Sequence, residues 1–271
     1  MPEGDSVFVT CRRLHGALAG RQVTRFQLRV PQLALADLTG STVIEVVPRG
    51  KHILMRFSTE QTLHSHLRMD GSWRVGRAAA RPRGRDHEIR ALVGNAEWLA
   101  AGFRLHDLSL VPTAEEAQLV GHLGPDLLSA DFDAAEALRR FAGQPDRQIA
   151  EALLDQRLVA GIGNVYKSEL LFLHRVSPYA RIGEVNVLPA ILADAQRLLA
   201  GNLRDFSRST TGWRQAGQQY WVYGRAGKAC LRCRAEIHRD AGPGIAIGIP
   251  EDRVTYYCPA CQQVAVPPAR S

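Results

Sequence analysis

No stretch of this 271-residue chain is apolar over the roughly 20 residues that a membrane-spanning helix requires. The start offers no secretory signal either, because Glu3 and Asp5 stand where a basic segment and then an apolar run would be needed. There is no internal repeat and no low-complexity tract, which argues against a solenoid or a solvating tail. Cysteine is scarce. Of five residues, four form two Cys-x2-Cys pairs, Cys230/Cys233 and Cys258/Cys261. So sparse a set is not a secreted disulfide framework; in a reducing, cytoplasmic compartment such pairs read as metal ligands. The fifth, Cys11, lies on the apolar stripe Val7, Cys11, Leu14, Leu18 and is expected in the core. Acidic side chains are outnumbered, 27 against 34 basic ones, for a formal net charge of +7. That excess reads either as a solvated surface or, the expected case, as the electrostatic footprint of a phosphate-rich partner.

What is present is enough chain for two or three compact units. Residues 6–19 have helical spacing, with Asp5 or Ser6 able to cap the start and Gly20 to stop the end. The period then changes to two. Residues 22–30, 41–47, 52–57, 62–69 and 73–76 read as short strands of an antiparallel sandwich or barrel that runs to about residue 111. Within it, residues 78–85 are rich in Arg, Ala and Pro and read as an exposed loop. Arg74, Arg77, Arg81, Arg83, Arg85 and Arg90 crowd that region. From residue 114 the spacing is helical, at 134–141, 147–159, 165–174 and 188–199. The expected fold is therefore α+β and multidomain: an N-terminal helix plus antiparallel β-sandwich over 1–112, a helical unit over 113–224 and a cysteine module over 225–271.

Four thiolates at Cys230, Cys233, Cys258 and Cys261 close a tetrahedral site with no open position, so one structural Zn2+ is expected. Residues 253–257 read as a strand entering the second pair, as in a zinc ribbon, and Arg253 is either solvated or presented to a phosphate. His238 is a weak alternative ligand. In the segment Ala160-Gly161-Ile162-Gly163-Asn164 two helices meet at a sharp angle, and Asn164 is either an N-cap or a phosphate contact. Lys51, in Arg49-Gly50-Lys51-His52 between two strands, is either a turn lysine or a phosphate clamp. His64 and His66 share one strand face. If Met1 is removed, Pro2 becomes a secondary amine able to attack an aldehyde carbon, with the Glu3 carboxylate beside it.

Pro2-Glu3, Arg49-Gly50-Lys51-His52, the run from His64 to Gly71, Leu123-Gly124-Pro125-Asp126, Leu154-Asp155-Gln156 through Gly163-Asn164, Val222-Tyr223-Gly224-Arg225 and Tyr257-Cys258-Pro259-Ala260-Cys261-Gln262 together resemble the formamidopyrimidine-DNA glycosylase and endonuclease VIII family. The resemblance covers nearly the whole length, and Gly4 after Pro2-Glu3 resembles the endonuclease VIII branch. It implies a β-sandwich, a helix–two-turns–helix DNA-binding domain and a C-terminal zinc finger, acting as a monomer on damaged DNA of the nucleoid. It implies a DNA glycosylase with AP lyase activity that flips a damaged base out of the stack. Pro2 would be the nucleophile, Glu3 the acid/base, Lys51 a phosphate ligand that assists β-elimination, and Arg253 a phosphate clamp that assists δ-elimination. Asn164, Arg68, Met69 and His122 would contact the DNA. Two departures stand out. Ser6 occupies a position where relatives often carry a second carboxylate. Residues 107–111 lack the Arg and Phe that fill the base gap in the formamidopyrimidine branch, leaving Met69 with Arg68 to do so. No long lesion-capping loop is evident, so oxidised pyrimidines and abasic sites are the expected substrates.

Overall fold

The computed structural model describes residues 2–204, 206–240 and 254–263. The chain forms two compact units, Met1–His122 and Leu123–Ser271.

In the first unit, helix α1 (Gly4–Leu18) starts before the expected residue 6 because Glu3, rather than Asp5 or Ser6, is its N-cap. The Ser6 hydroxyl accepts the Glu3 N–H at 2.8 Å and donates to the Glu3 carbonyl at 3.0 Å, closing the first turn. Eight strands follow: β1 (Arg25–Leu28), β2 (Val43–Arg49), β3 (His52–Phe57), β4 (Gln61–His66), β5 (Ser72–Arg77), β6 (Ile89–Gly94), β7 (Trp98–Phe103) and β8 (Asp107–Pro112). They make two antiparallel four-stranded sheets, ordered β1-β6-β7-β5 and β2-β3-β4-β8. The expected sandwich is present. One apolar cluster joins both sheets to the α1 stripe, and Cys11 sits in it at 1% exposure, its thiol pushed up by burial.

Much of the arginine excess near residues 74–90 has a structural use. The Arg74 and Arg77 guanidiniums lie 4.5 and 4.3 Å from the Phe103 and Trp98 ring centres, and Arg74 also bonds the Arg83 carbonyl at 2.6 Å. These long side chains roof part of the sheet that would otherwise be wet. Arg81 and Arg83 remain exposed in the loop. The unit ends in a short helix, α2 (Glu116–Val120).

The second unit holds α3 (Ala134–Ala142), α4 (Ile149–Leu154), α5 (Asn164–Leu173) and α6 (Leu188–Gly201) around a second core. The expected helix over 147–159 is shortened to α4. The Asp155 carboxylate receives Arg147 at 2.7 Å and the Arg157 backbone N–H at 3.0 Å, and Asp155 leaves helical geometry at ψ 103°. Asp side chains compete with the helix for backbone donors in this way. The freed segment packs on the Leu123–Gly124–Pro125 turn. Gly124 N–H donates to the Gln156 carbonyl at 2.8 Å, and a Cβ on Gly124 would lie 2.6 Å from the Leu158 carbonyl. Strands β9 (His238–Asp240) and β10 (Thr255–Tyr257) pair antiparallel, as a ribbon requires.

Candidate functional site

Pro2 is partly exposed at the mouth of α1, and Glu3 behind it has no solvent-exposed surface. Helix α1 packs on β2 and β3. These strands join through Gly50-Lys51, a two-residue turn closed by the Arg49–His52 pair and permitted by Gly50 at φ 58°. Lys51 stands at that turn, and it is one of only three lysines in a chain whose positive charge is otherwise arginine.

Beside Lys51 the register of β3 and β4 brings three histidines together, and His122, just past α2, joins them. His52 pairs directly with His66, and His64 lies two residues from His66 on the same face. His52 Nδ1 and His64 Nε2 are 2.8 Å apart, His64 Nδ1 and the Ser109 hydroxyl 3.2 Å. The rings of His66 and His122 lie 5.0 and 6.3 Å from that of His52. Burial pushes His52 down to about 3, helped by the neighbouring imidazoles and opposed by Asp107. It pushes His66 to about 4, and His64 also falls. At neutral pH His52, His64 and His66 are uncharged; at His64 and His66 the structure shows hydrogen bonds within the fold.

Past β4 the chain makes a tight turn. Arg68 takes the left-handed conformation at φ 50°, its guanidinium meets Asp107 at 2.5 Å, and Met69 projects at 43% exposure. Pro2, Glu3, Lys51, Arg68, Met69 and His122 thus all belong to the first unit.

Asn164 and the cysteines belong to the second. Asn164 opens α5 and is 1% exposed. Ahead of it, Gly161 at φ 112° supplies the sharp bend. Gln156 holds the bend: its Nε2 donates to the Leu154 and Ile162 carbonyls at 3.0 Å, and its Oε1 accepts the Gly161 N–H at 3.0 Å. One turn into α5, the buried Lys167 donates to the Thr255 hydroxyl at 2.8 Å and the Val254 carbonyl at 3.3 Å. Helix α5 therefore anchors the first residues of β10. Arg253, immediately before them, lies outside the described residues. Glu169, also buried on α5, accepts the Trp221, Val222 and Tyr223 N–H groups at 2.8 Å each and the Thr210 hydroxyl. Burial raises its carboxyl, and those four donors oppose the rise.

The four paired cysteines come together. Cys230 and Cys261 sulfurs are 4.0 Å apart, Cys233 and Cys258 sulfurs 3.4 Å, and all four lie within 4.8 Å of one another. A tetrahedral zinc–thiolate centre with bonds of about 2.3 Å places its sulfurs roughly 3.8 Å apart, so the set fits such an ion. His238 instead sits on β9 with its ring 5.7 Å from that of Tyr257.

His52, Gln156, Lys167 and Glu169 were not singled out by sequence reasoning. Gln156 and the His52 of Arg49-Gly50-Lys51-His52 sat inside recognised motifs. For Lys167 and Glu169 the available signal was two charges on an otherwise apolar helix, which demands buried partners.

Comparison with known proteins agrees with this architecture. A family model described as the formamidopyrimidine-DNA glycosylase N-terminal domain matches residues 1–104, and one described as the formamidopyrimidine-DNA glycosylase H2TH domain matches residues 123–204. A Streptomyces coelicolor protein named probable endonuclease 8 2 is 49% identical over 98% of this chain and 96% of its own. The Mycolicibacterium smegmatis DNA-(apurinic or apyrimidinic site) lyase Nei2 is 42% identical over 97% and 99%. A Lactococcus lactis formamidopyrimidine-DNA glycosylase, solved non-covalently bound to DNA containing an AP site, superposes with a TM-score of 0.76 at 25% identity, covering 96% of this chain and 99% of that one. With its sandwich, its Gly-bent helical unit, its cysteine cluster and these full-length matches, the chain belongs to the formamidopyrimidine-DNA glycosylase/endonuclease VIII family.

Proposed function

We propose that this protein is a bifunctional DNA glycosylase and AP lyase of base excision repair that removes oxidised pyrimidines and processes abasic sites. The observation that carries the reading is the full-length family match together with Pro2 set against a completely buried carboxylate, Glu3. After removal of Met1, the Pro2 nitrogen attacks the sugar C1′. The damaged base leaves with a proton, Glu3 carrying protons as the sugar ring opens, and loss of the amine proton leaves an iminium. The iminium acidifies C2′, so loss of that proton expels the 3′ phosphate by β-elimination. A second proton loss expels the 5′ phosphate by δ-elimination, and water then releases the amine. Lys51 binds phosphate and assists the first elimination. Arg253 clamps the flanking phosphate and assists the second. Asn164, at the start of α5, holds the backbone, while Arg68, Met69 and His122 contact the duplex near the lesion.

Cys230, Cys233, Cys258 and Cys261 hold one structural zinc ion, which fixes the β9–β10 ribbon and through it the strand that follows Arg253. Three functional divisions, 1–112, 113–224 and 225–271, follow from these roles. Damaged DNA is the partner, the working state is a monomer, and the site of action is cytoplasmic, on the nucleoid. Among the described residues no helix is long and apolar enough to cross a membrane.

Borohydride trapping tests the reading, with the untagged protein and oligonucleotides carrying thymine glycol, 8-oxoguanine or an abasic site. An adduct mapped to Pro2, strongest with the pyrimidine lesion or the abasic site, is expected. No adduct on any lesion, despite removal of Met1 and measurable DNA binding, would overturn the enzyme assignment in favour of a damage-binding protein. Greater activity on 8-oxoguanine than on 5-hydroxyuracil would overturn the substrate preference.

A further inference from the structure

The turn that displays Met69 is built with unusual care for an exposed loop. Gly71 N–H returns to the Leu67 carbonyl at 2.8 Å, and a Cβ on Gly71 would lie 2.5 Å from that same oxygen. Asp70 ties the turn to the segment before β8, through His106 at 3.0 Å and Arg104 at 3.2 Å. Arg68 is not a glycine, yet it holds φ 50°, a conformation that is uncommon for such residues and persists where neighbours over-determine it. The neighbours are visible. The Arg68 N–H donates to His66 Nδ1 at 3.1 Å, and its guanidinium is held by Asp107, whose carboxylate is 4.0 Å from the same imidazole nitrogen.

We propose that His66 is a positioning residue for the reaction. Its Nδ1 accepts the Arg68 N–H and so fixes the left-handed turn that aims Met69 into the DNA stack. The inference rests on the proposed role of Met69 in filling the space left by a flipped base. An imidazole serves here only with Nδ1 unprotonated. Burial and the charges of Arg68 and Lys51 favour that state, while Asp107 from β8 opposes it. His64 on the same strand and His52 on β3 complete the surroundings, both themselves driven toward the neutral form. The histidine layer is thereby coupled to the tip that meets DNA, with Lys51 on one side and Arg68–Met69 on the other.

The test uses the full protein and a duplex with a tetrahydrofuran abasic analogue opposite 2-aminopurine. Insertion into the stack unstacks the reporter without any chemistry. Wild type should raise its fluorescence at saturation. Met69→Ala and His66→Leu should each lose most of that rise, while His66→Asn, whose Oδ1 stands near the Nδ1 position, should restore it. On lesion duplex, His66→Leu should lower kcat/KM by about tenfold to a hundredfold, the range expected for a misplaced group. Met69→Ala should cost a similar factor and the double variant no more, since both remove one device. Borohydride trapping on a single-stranded abasic oligonucleotide, which has no stack to fill, should be unchanged within about threefold for His66→Leu. Gly71→Ala should reproduce the pattern from the backbone side, which keeps the test decisive if His66→Leu folds poorly. The inference fails if His66→Leu keeps the fluorescence rise, if His66→Asn fails to restore it, or if the losses of His66→Leu and Met69→Ala multiply. A wild type that raises the fluorescence yet traps no adduct would refute the enzyme assignment and leave the positioning role standing.

Discussion

Lowering the pH from 7 to 5 should destabilise the first unit steeply, and well before its carboxylates titrate. In the unfolded chain His52 and His66 take protons near 6.5, whereas in the fold burial pushes them to about 3 and about 4. Both folded values are depressed. The associated stability is therefore complete above pH 6.5 and is lost as pH falls toward the folded values, because the unfolded state binds protons that the native state refuses. Each such group contributes a slope of about 1.4 kcal/mol per pH unit within that window. Two of them remove about 4 kcal/mol between pH 7 and pH 5, out of the roughly 5–15 kcal/mol that holds an ordinary domain together. His64 adds in the same direction. Asp107 and Glu116, held below the ordinary carboxylate range chiefly by Arg68 and Arg56 against the cost of burial, lose their stabilisation only at lower pH. Urea titration at each pH, read by pulse proteolysis and mass spectrometry of peptides from residues 1–122, isolates the first unit. His52→Leu should flatten the slope by about 1.4 kcal/mol per pH unit. A stability that stays level between pH 7 and 5.5, or a slope unaffected by His52→Leu, would refute the assignment of these histidines as buried and neutral.

Three further outcomes follow from the second unit. Gly124→Ala forces a methyl group against the Leu158 and Arg157 carbonyls at 2.6 and 2.7 Å and should cost about 1–3 kcal/mol by urea midpoint, with lesion binding weakened in parallel. Glu169→Leu strands the Trp221, Val222 and Tyr223 N–H groups in the interior and should cost at least about 3 kcal/mol, read as rapid hydrogen exchange at those amides. Strong chelation, or Cys258→Ser, should release zinc and expose residues 225–240 and 254–263 to protease while the near-ultraviolet signal of the first unit's Trp73 and Trp98 persists; a ribbon equally resistant without metal would argue against a structural ion.

Much of the architecture was legible because it rests on local rules. The α1 stripe, the two-residue strand period, the Gly-rich bend before Asn164 and the Cys-x2-Cys spacing each determine a local shape that tertiary contacts need only accept. The motifs also placed the chain in its family before any fold was known. Periodicity misplaces an element's bounds where a specific side-chain partner competes with the backbone pattern. The helical pattern over 147–159 stops at Leu154 because Asp155 finds Arg147 and Arg157. The N-cap moves to Glu3 because the Ser6 hydroxyl turns back on it. The arginines near residue 74 read as a phosphate footprint, yet Arg74 and Arg77 lie over aromatic rings that only the β5–β7 register brings near them.

By itself, then, the amino-acid sequence determined the family, the run of helix, strands, helices and a four-cysteine set able to hold a metal, and the residue types on which the proposed amine, carboxylate and phosphate contacts rest, since each is a matter of residue type and short spacing. Tertiary structure alone decided that His52, His64, His66 and His122, spread over 70 residues, gather beside Lys51 and the Met69 turn, with the first three driven to the neutral form by burial. It alone decided that Lys167 and Glu169 fasten β10 and the 221–223 backbone to α5. Strand register, burial and the resulting loss of hydration set those relationships, and none of the three is a property of a short stretch of chain.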